Sequence, residues 1–156
     1  MRRTRAPHRA SRGFSLVEVL VALVVMAVGM LGIAALYVES LRAGRTSINR
    51  ITAVTLAADM ADRIQANPNA AASYAGNGPG ADQGCVNGVG PCTPAQLAAD
   101  DWFTWFQDVN NRLPGAPTAT IATANPTPQL TRYTITLSWP EAGQADPSTY
   151  TLVTQQ

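Results

Sequence analysis

The sequence predicts an α+β fold: one long N-terminal helix, its first half membrane-spanning, with its second half packed on a small antiparallel sheet and one additional helix. Three observations predict it. Val19 to Val38 is a run of twenty residues with no ionisable group except the phenol of Tyr37, and about twenty apolar residues cross a bilayer core as a helix. Beyond that run, Leu56, Met60 and Ile64 recur every four residues, with Ala53 and Ala57 beside them, the spacing of a one-sided helix. Near the C-terminus, Tyr133, Ile135, Leu137 and Trp139 alternate with Thr134, Thr136 and Ser138, the period of a half-buried strand.

Taken in order, residues 1–13 form a basic, polar leader, and residues 14–66 read as one continuous helix. Its first part, 14–38, is apolar on all sides, as a membrane helix is. Its continuation, 39–67, is amphipathic. Asp59, Asp62 and Arg63 lie opposite the apolar stripe, and Asp59 and Arg63 form a favourable i,i+4 pair. Leu41, Ile48 and Ile51 point more than about 90° away from that stripe at 3.6 residues per turn, so the helix serves two different neighbours. Asn67-Pro68 ends it, because a residue before proline is pushed out of the α region. The whole helix, about 53 residues, is about 80 Å long at 1.5 Å per residue.

Residues 68–92 are rich in Ala, Gly, Asn and Pro, hold both cysteines, and read as a loop. Thr93-Pro94-Ala95-Gln96 then has the marks of a helix start: Thr as N-cap, Pro in the first turn, Gln three residues after the cap. This second helix runs to about Leu113, with Ala98, Trp102, Trp105, Phe106, Val109 and Leu113 on one face, and Pro114-Gly115 stops it. Residues 93–156 thus form a head of one helix followed by strands. Besides 133–139, Thr149 to Val153 is a strand, Thr118 to Thr123 a weaker one, and Pro140 to Pro147 a turn region. The chain of 156 residues suits one domain, with about a hundred residues left for the head.

The formal charge of +1 conceals an asymmetry. Arg2, Arg3, Arg5, Arg9 and Arg12, five of the eleven basic residues, precede Gly13, and there is no lysine. Without that segment six arginines face ten acids, a net of −4. Such a chain has no basic stripe for nucleic acid. His8, the only histidine, also lies in the leader. No Ser-His, Cys-His or paired-carboxylate arrangement outlasts leader removal, so neither an enzyme nor a cofactor or metal site is expected.

The segment Arg12-Gly13-Phe14-Ser15-Leu16-Val17-Glu18-Val19 resembles the class III signal of type IV pilins and type II secretion pseudopilins: a glycine, then usually Phe, three residues, Glu, and an apolar run. Each part has a physical reason. The arginines hold the leader in the cytoplasm by the positive-inside rule, which turns the head outward. A peptidase at the membrane surface needs a small residue on the leader side, supplied by Gly13. The cut between Gly13 and Phe14 precedes the apolar helix, which therefore stays on the mature chain, unlike an ordinary secretory signal. A carboxylate such as Glu18 beside an apolar span is costly and needs a role. The resemblance implies that Glu18 meets the free amine of a neighbouring subunit in assembly, and that the amine of Phe14 is N-methylated. The plain alternative is a signal anchor with an incidental Glu.

Ala57-Ala58-Asp59-Met60-Ala61-Asp62-Arg63-Ile64-Gln65-Ala66-Asn67-Pro68, Cys92-Thr93-Pro94-Ala95-Gln96-Leu97-Ala98, Leu113-Pro114-Gly115 and the strand Thr136-Leu137-Ser138-Trp139 are similar to the PilV (type IV pilus modification protein) family of minor pilins. This resemblance implies a pilin fold and a structural role: a minor pilin that helps initiate or cap pilus assembly, and with it pilus biogenesis, twitching motility and adhesion. The implied partners are a prepilin peptidase, other minor pilins, the major pilin and an inner-membrane assembly platform. The implied place is a single pass in the inner membrane with a periplasmic head, then the tip or base of a filament. A minor pseudopilin of type II secretion and a signal-anchored periplasmic binding module are the alternatives.

Many major pilins carry a proline early in the mature helix, and none stands here. Gly29 and Gly32 instead mark either a soft point or close helix packing. Cys85 and Cys92, an even count in an exported head, read as a disulfide. It encloses six residues and is worth about 2.5 kcal/mol on the loop-length model, either as a local staple or as a rigid tip. Trp102, Trp105 and Phe106 read as core rather than a sugar platform. Asp100, Asp101 and Asp108 read as a solvated helix face rather than a calcium site.

Overall fold

The computed structural model describes residues 13–85, 90–127 and 129–156. Residues 1–12, most of the expected leader, and residues 86–89, the centre of the cysteine-bounded loop, lie outside the described residues. The chain divides into two compact units, Met1–Leu41 and Arg42–Gln156.

Among the described residues the first unit holds the N-terminal part of helix α1, Leu16–Ala66, a helix of 51 residues. Within the second unit α1 buries one narrow stripe, Ala53, Leu56, Ala57, Met60, Ala61 and Ile64. The three alanines let neighbouring elements approach the helix axis closely, while Leu56, Met60 and Ile64 fill the space between. The helix stops at Ala66, where the N–H of Asn67 still reaches the carbonyl of Ile64 at 3.1 Å, and Pro68 has no N–H to continue the ladder.

Residues 68–92 are not a plain loop. Pro68–Tyr74 forms a 3₁₀ helix, and Gly76–Asn77 forms a two-residue strand, β1. The cause is packing that no local signal announces. Ala70 and Tyr74 are buried against the core, Tyr74 completely, and this anchor lays Gly76 and Asn77 beside Ile121 and Thr120 of the sheet. The chain then passes under α2. Gly80, at φ +76°, lies so close that a Cβ there would stand 2.5 Å from the Ala99 carbonyl oxygen, and Ala81 N–H donates to that carbonyl at 3.1 Å.

Helix α2, Pro94–Arg112, starts on the expected reciprocal cap. The Gln96 N–H donates to the Thr93 hydroxyl at 3.3 Å, and the Thr93 N–H donates to Gln96 Oε1 at 2.9 Å, a device worth about 1 kcal/mol. Its buried face carries Ala98, Trp102, Trp105 and Val109, with Leu113 just past the end and Phe106 half-buried. Trp102 and Trp105 meet edge to face with centroids 5.3 Å apart. All three tryptophans in the chain satisfy their indole N–H, as buried Trp must: Trp102 to the Tyr74 carbonyl at 2.9 Å, Trp105 to the Leu56 carbonyl at 2.8 Å, and Trp139 to the Glu141 carboxylate at 3.2 Å. The aromatic face is core.

The sheet is a four-stranded antiparallel meander in the order β1-β2-β3-β4, completed by β2 (Thr118–Thr127), β3 (Leu130–Trp139) and β4 (Ser148–Gln155). Rows across it are apolar on one face, as in Ile121–Ile135–Leu152 and Ala119–Leu137–Tyr150. Helix α1, helix α2 and this face enclose a single core. The β2 strand is longer than Thr118–Thr123 because its pairing with β3 resumes at Thr127–Leu130 after an irregularity past Ala124. The architecture is the α+β pilin fold.

Candidate functional site

The expected processing and assembly residues lie at the start of α1. Gly13, Phe14 and Ser15 precede its first helical residue and are exposed. A peptide bond in such a non-helical segment is open to a peptidase, and among the described residues nothing stands within 4 Å of where a Gly13 Cβ would be. Ser15 opens the helix: its carbonyl accepts the N–H groups of Glu18 at 3.0 Å and Val19 at 3.3 Å. Glu18 therefore lies in the first turn, where the positive end of the helix dipole favours a carboxylate. Phe14, Glu18, Val19, Ala22, Leu23 and Met26 line one shallow hollow along the helix. The structure thus places Phe14 and Glu18 on the same side.

From Leu16 to Val38 every large apolar side chain is exposed, Leu31 at 72% and Ile33 at 70%. An apolar surface this extensive needs lipid or other helices around it, and α1 is long and apolar enough to cross a membrane. Gly29 and Gly32 sit within it, helical and with open space where a side chain would be.

The head holds two polar clusters that pattern reading missed. In the first, Arg63 of α1 donates through Nε to Asp59 at 3.2 Å, and through Nη1 to Asp101 at 3.3 Å and the Thr104 hydroxyl at 2.9 Å. The Tyr74 hydroxyl donates to Asp101 Oδ2 at 2.6 Å, and Asn67 Nδ2 reaches Tyr74 Oη at 3.2 Å and the Pro94 carbonyl at 2.9 Å. Burial drives the Tyr74 pKa well above 10, and the hydrogen bond to Asp101 adds to it. Asp100 is also buried and caps the loop by accepting from the Gln83 N–H at 2.7 Å. Asp100 and Asp101 are therefore not part of a solvated face. They turn inward because Arg63, Tyr74 and the Gln83 amide supply the donors that make a buried carboxylate tolerable. Asp59–Arg63 does form as the spacing indicates.

In the second cluster, buried Glu141 accepts from Asn49 of α1 at 2.9 Å, from the Trp139 indole at 3.2 Å and from the Ser148 hydroxyl at 3.0 Å. Burial alone would raise its pKa, but these donors, with Thr46, together hold it below the ordinary carboxylate value. Glu141 lies in the β3–β4 turn and pins it to the helix. The one signal for it was its position directly after Trp139-Pro140.

Cys85 and Cys92 are joined by a disulfide. Among the described residues no group of three or more His, Cys, Asp or Glu is placed to hold a metal ion. Both polar clusters are closed networks of partners within the head, so their arrangement suits holding elements together.

Two family models match the chain. Residues 8–34 match the prokaryotic N-terminal methylation motif, and residues 35–103 match the Tt1218-like family, described as type IV pilin Tt1218. No curated protein and no solved structure matches it. The first match spans Gly13, Phe14, Glu18 and most of the apolar run, and the second covers the rest of α1, the 3₁₀ helix and the start of α2. The chain is thus similar, in succession, to the N-terminal methylation motif and to a type IV pilin family model, and neither matched model is specific to PilV.

Proposed function

We propose that the chain is a minor pilin of the PilV kind, a structural subunit that helps initiate or cap assembly of a type IV pilus. The observation that carries this reading is the exposed, uncharged stretch Val19–Val38 of α1, preceded by the accessible Gly13–Phe14 bond and by Glu18 in the first turn of the helix, and leading into a segment that matches a type IV pilin family model. In this reading a prepilin peptidase cuts after Gly13, and the Phe14 amine is methylated. The helix waits in the inner membrane with its head in the periplasm. An assembly platform then moves it into a filament beside other minor pilins and the major pilin, at the tip or the base.

Glu18 has the central part in that transfer. In the membrane interface water and headgroups accommodate the carboxylate. Inside a filament core an unpaired charge is costly, so it pairs with a cationic amine, the Phe14 amine of a neighbour. That pairing sets the axial register of the incoming subunit.

The test is N-terminal sequencing of the chain from membranes and from sheared surface filaments of the same cells. Mature protein beginning at Phe14 in both fractions is expected. An intact Met1 in a strain with active prepilin peptidase, or a cleaved chain confined to membranes of fully piliated cells, would overturn the reading.

A further inference from the structure

Strand β4 ends the sheet with no strand beside it among the described residues. The register shows which backbone groups this leaves over. Thr131 and Gln156 exchange both of their hydrogen bonds, at 2.8 and 3.0 Å, and pairing continues without a slip from Arg132–Gln155 to Trp139–Ser148. In an antiparallel ladder every second pair exchanges bonds. Ser148, Tyr150, Leu152 and Thr154 therefore bond to β3, while the N–H and C=O groups of Thr149, Thr151, Val153 and Gln155 point away from the sheet.

Proteins usually blunt such an edge with lysine, proline, a bulge or a very short strand. The eight residues of β4 contain no charge, no proline and no bulge. The core is also unfinished there. Tyr150 and Leu152 are half-buried, while the β3 residues opposite them, Leu137 and Ile135, are fully buried.

One side of α1 runs along this edge. Gln65 Nε2 donates to the Thr154 hydroxyl at 3.3 Å, and Gln156 Nε2 donates to the Gln65 carbonyl at 3.4 Å. Steps of three and four residues back from Gln65 reach Asp62, Ala58, Val54 and Ile51, one stripe of a helix. Val54 is 41% and Ile51 65% exposed. At the other end Arg50 lines a small hollow with Thr149. Neither Arg50 nor Asp62 has an ion-pair partner among the described residues. The edge therefore has a basic end, an apolar middle and an acidic end.

We propose that β4 and the Ile51–Val54–Asp62 stripe form a strand-acceptor site that takes an extended segment of another pilin subunit, which adds a fifth strand to the sheet. The occupant follows from the chemistry of the edge. Its backbone pairs with Thr149, Thr151, Val153 and Gln155, and apolar residues at alternate positions cover Ile51 and Val54. Running antiparallel to β4, it carries a base near its start, facing Asp62, and an acid near its end, facing Arg50. A second copy offering its own β4 brings a strand with no charge to meet either residue. That the donor is a pilin subunit rests on the proposed function; the acceptor edge does not.

The test uses the full chain in detergent micelles and the synthetic peptide Arg-Thr-Val-Thr-Val-Thr-Asp, whose base, valines and acid share one face of a strand, with amide hydrogen exchange read by NMR. Slowed exchange is expected at Thr149, Thr151, Val153 and Gln155 and not at the residues between them, which are bonded already. Val153→Pro removes an N–H that points away from β3, and Ile51→Asp puts a charge on the stripe at an exposed position. Each is expected to weaken peptide binding by about fivefold, the loss of about one hydrogen bond or one apolar contact, and a peptide with glutamine at both ends is expected to bind more weakly. Unchanged exchange at the four amides with excess peptide, or both variants binding as the unaltered chain does, would overturn the site. Protection that rises with protein concentration in the absence of peptide would assign the edge to a second copy and overturn the proposed occupant. In cells, Val153→Pro is expected to keep its Phe14 start and membrane level but leave sheared filaments. Its entry at the unaltered level would sink the acceptor alone, whereas absence of the unaltered chain from filaments would sink the pilin reading.

Discussion

Replacing Arg63 by methionine tests the polar cluster that joins the two helices of the head. Methionine keeps much of the side-chain length but removes every donor. Three hydrogen bonds are lost: to Asp59, to Asp101 and to Thr104. They are unequal. Asp59 is about half exposed, so water replaces its partner and the cost there is small. The Asp101 side chain is only 10% exposed, and without Arg63 its carboxylate keeps the Tyr74 hydroxyl as its one remaining side-chain donor. Breaking a fully buried pair from one side costs about 3–5 kcal/mol. Arg63 is itself a quarter exposed and its bond to Asp101 is a long 3.3 Å, so the expected loss is reduced to about 2–3 kcal/mol, in line with a charged hydrogen bond. For a head of about a hundred residues that lowers Tm by about 8–20 °C. Thermal unfolding of the full chain in detergent, followed by near-ultraviolet circular dichroism of the tryptophans, reads it directly. Adding Asp101→Asn should recover part of the loss, because the stranded charge is then gone. A fall of less than about 2 °C for Arg63→Met, or no recovery in the double variant, would refute the view that Arg63 compensates a buried carboxylate.

Glu18→Ala leaves Gly13, Phe14 and the apolar run intact, so normal cleavage and membrane insertion are expected, with loss from sheared filaments and fewer pili; Glu18→Asp should be less harmful but not neutral. Immunoblots of sheared and membrane fractions check this, and unaltered Glu18→Ala levels with full piliation would make the acid incidental. Glu141 has its folded pKa held below the ordinary 4.5, so its contribution is present above that value and is lost as pH falls through the folded pKa. Glu141→Gln should therefore unfold more readily than the unaltered chain at pH 7, with the gap narrowing in acid; parallel denaturation curves at pH 7 and below pH 4.5 decide it. Reducing the Cys85–Cys92 bond should cost about 2.5 kcal/mol or less, since the loop it closes is short, and the double Cys→Ser chain should still reach the membrane. Free thiols on native exported protein, found by labelling without reductant, would contradict the pairing.

The long helix, the amphipathic stripe Leu56–Met60–Ile64, the Thr93–Gln96 cap, the aromatic core face and the alternating strand Tyr133–Trp139 were all legible in the sequence. Each depends on periodicity or on contacts within four residues, so the local order of residues determines them. The motif around Gly13, Phe14 and Glu18 was legible for a similar reason: these residues and the start of the uncharged run lie together in one short stretch, within the residues that match the methylation motif. Tertiary structure alone decided the rest. Residues 68–77 became a 3₁₀ helix and a short strand because Tyr74 is buried on Asp101 and Trp102, partners 27 and 28 positions away. Asp100 and Asp101 read in sequence as part of a solvated helix face, yet they face inward, because donors from three separated segments converge on them. Glu141 likewise draws donors from Asn49, 92 positions back in the chain. A buried carboxylate is stable only where such donors meet, and their meeting is a property of packing between elements that one-dimensional periodicity does not encode.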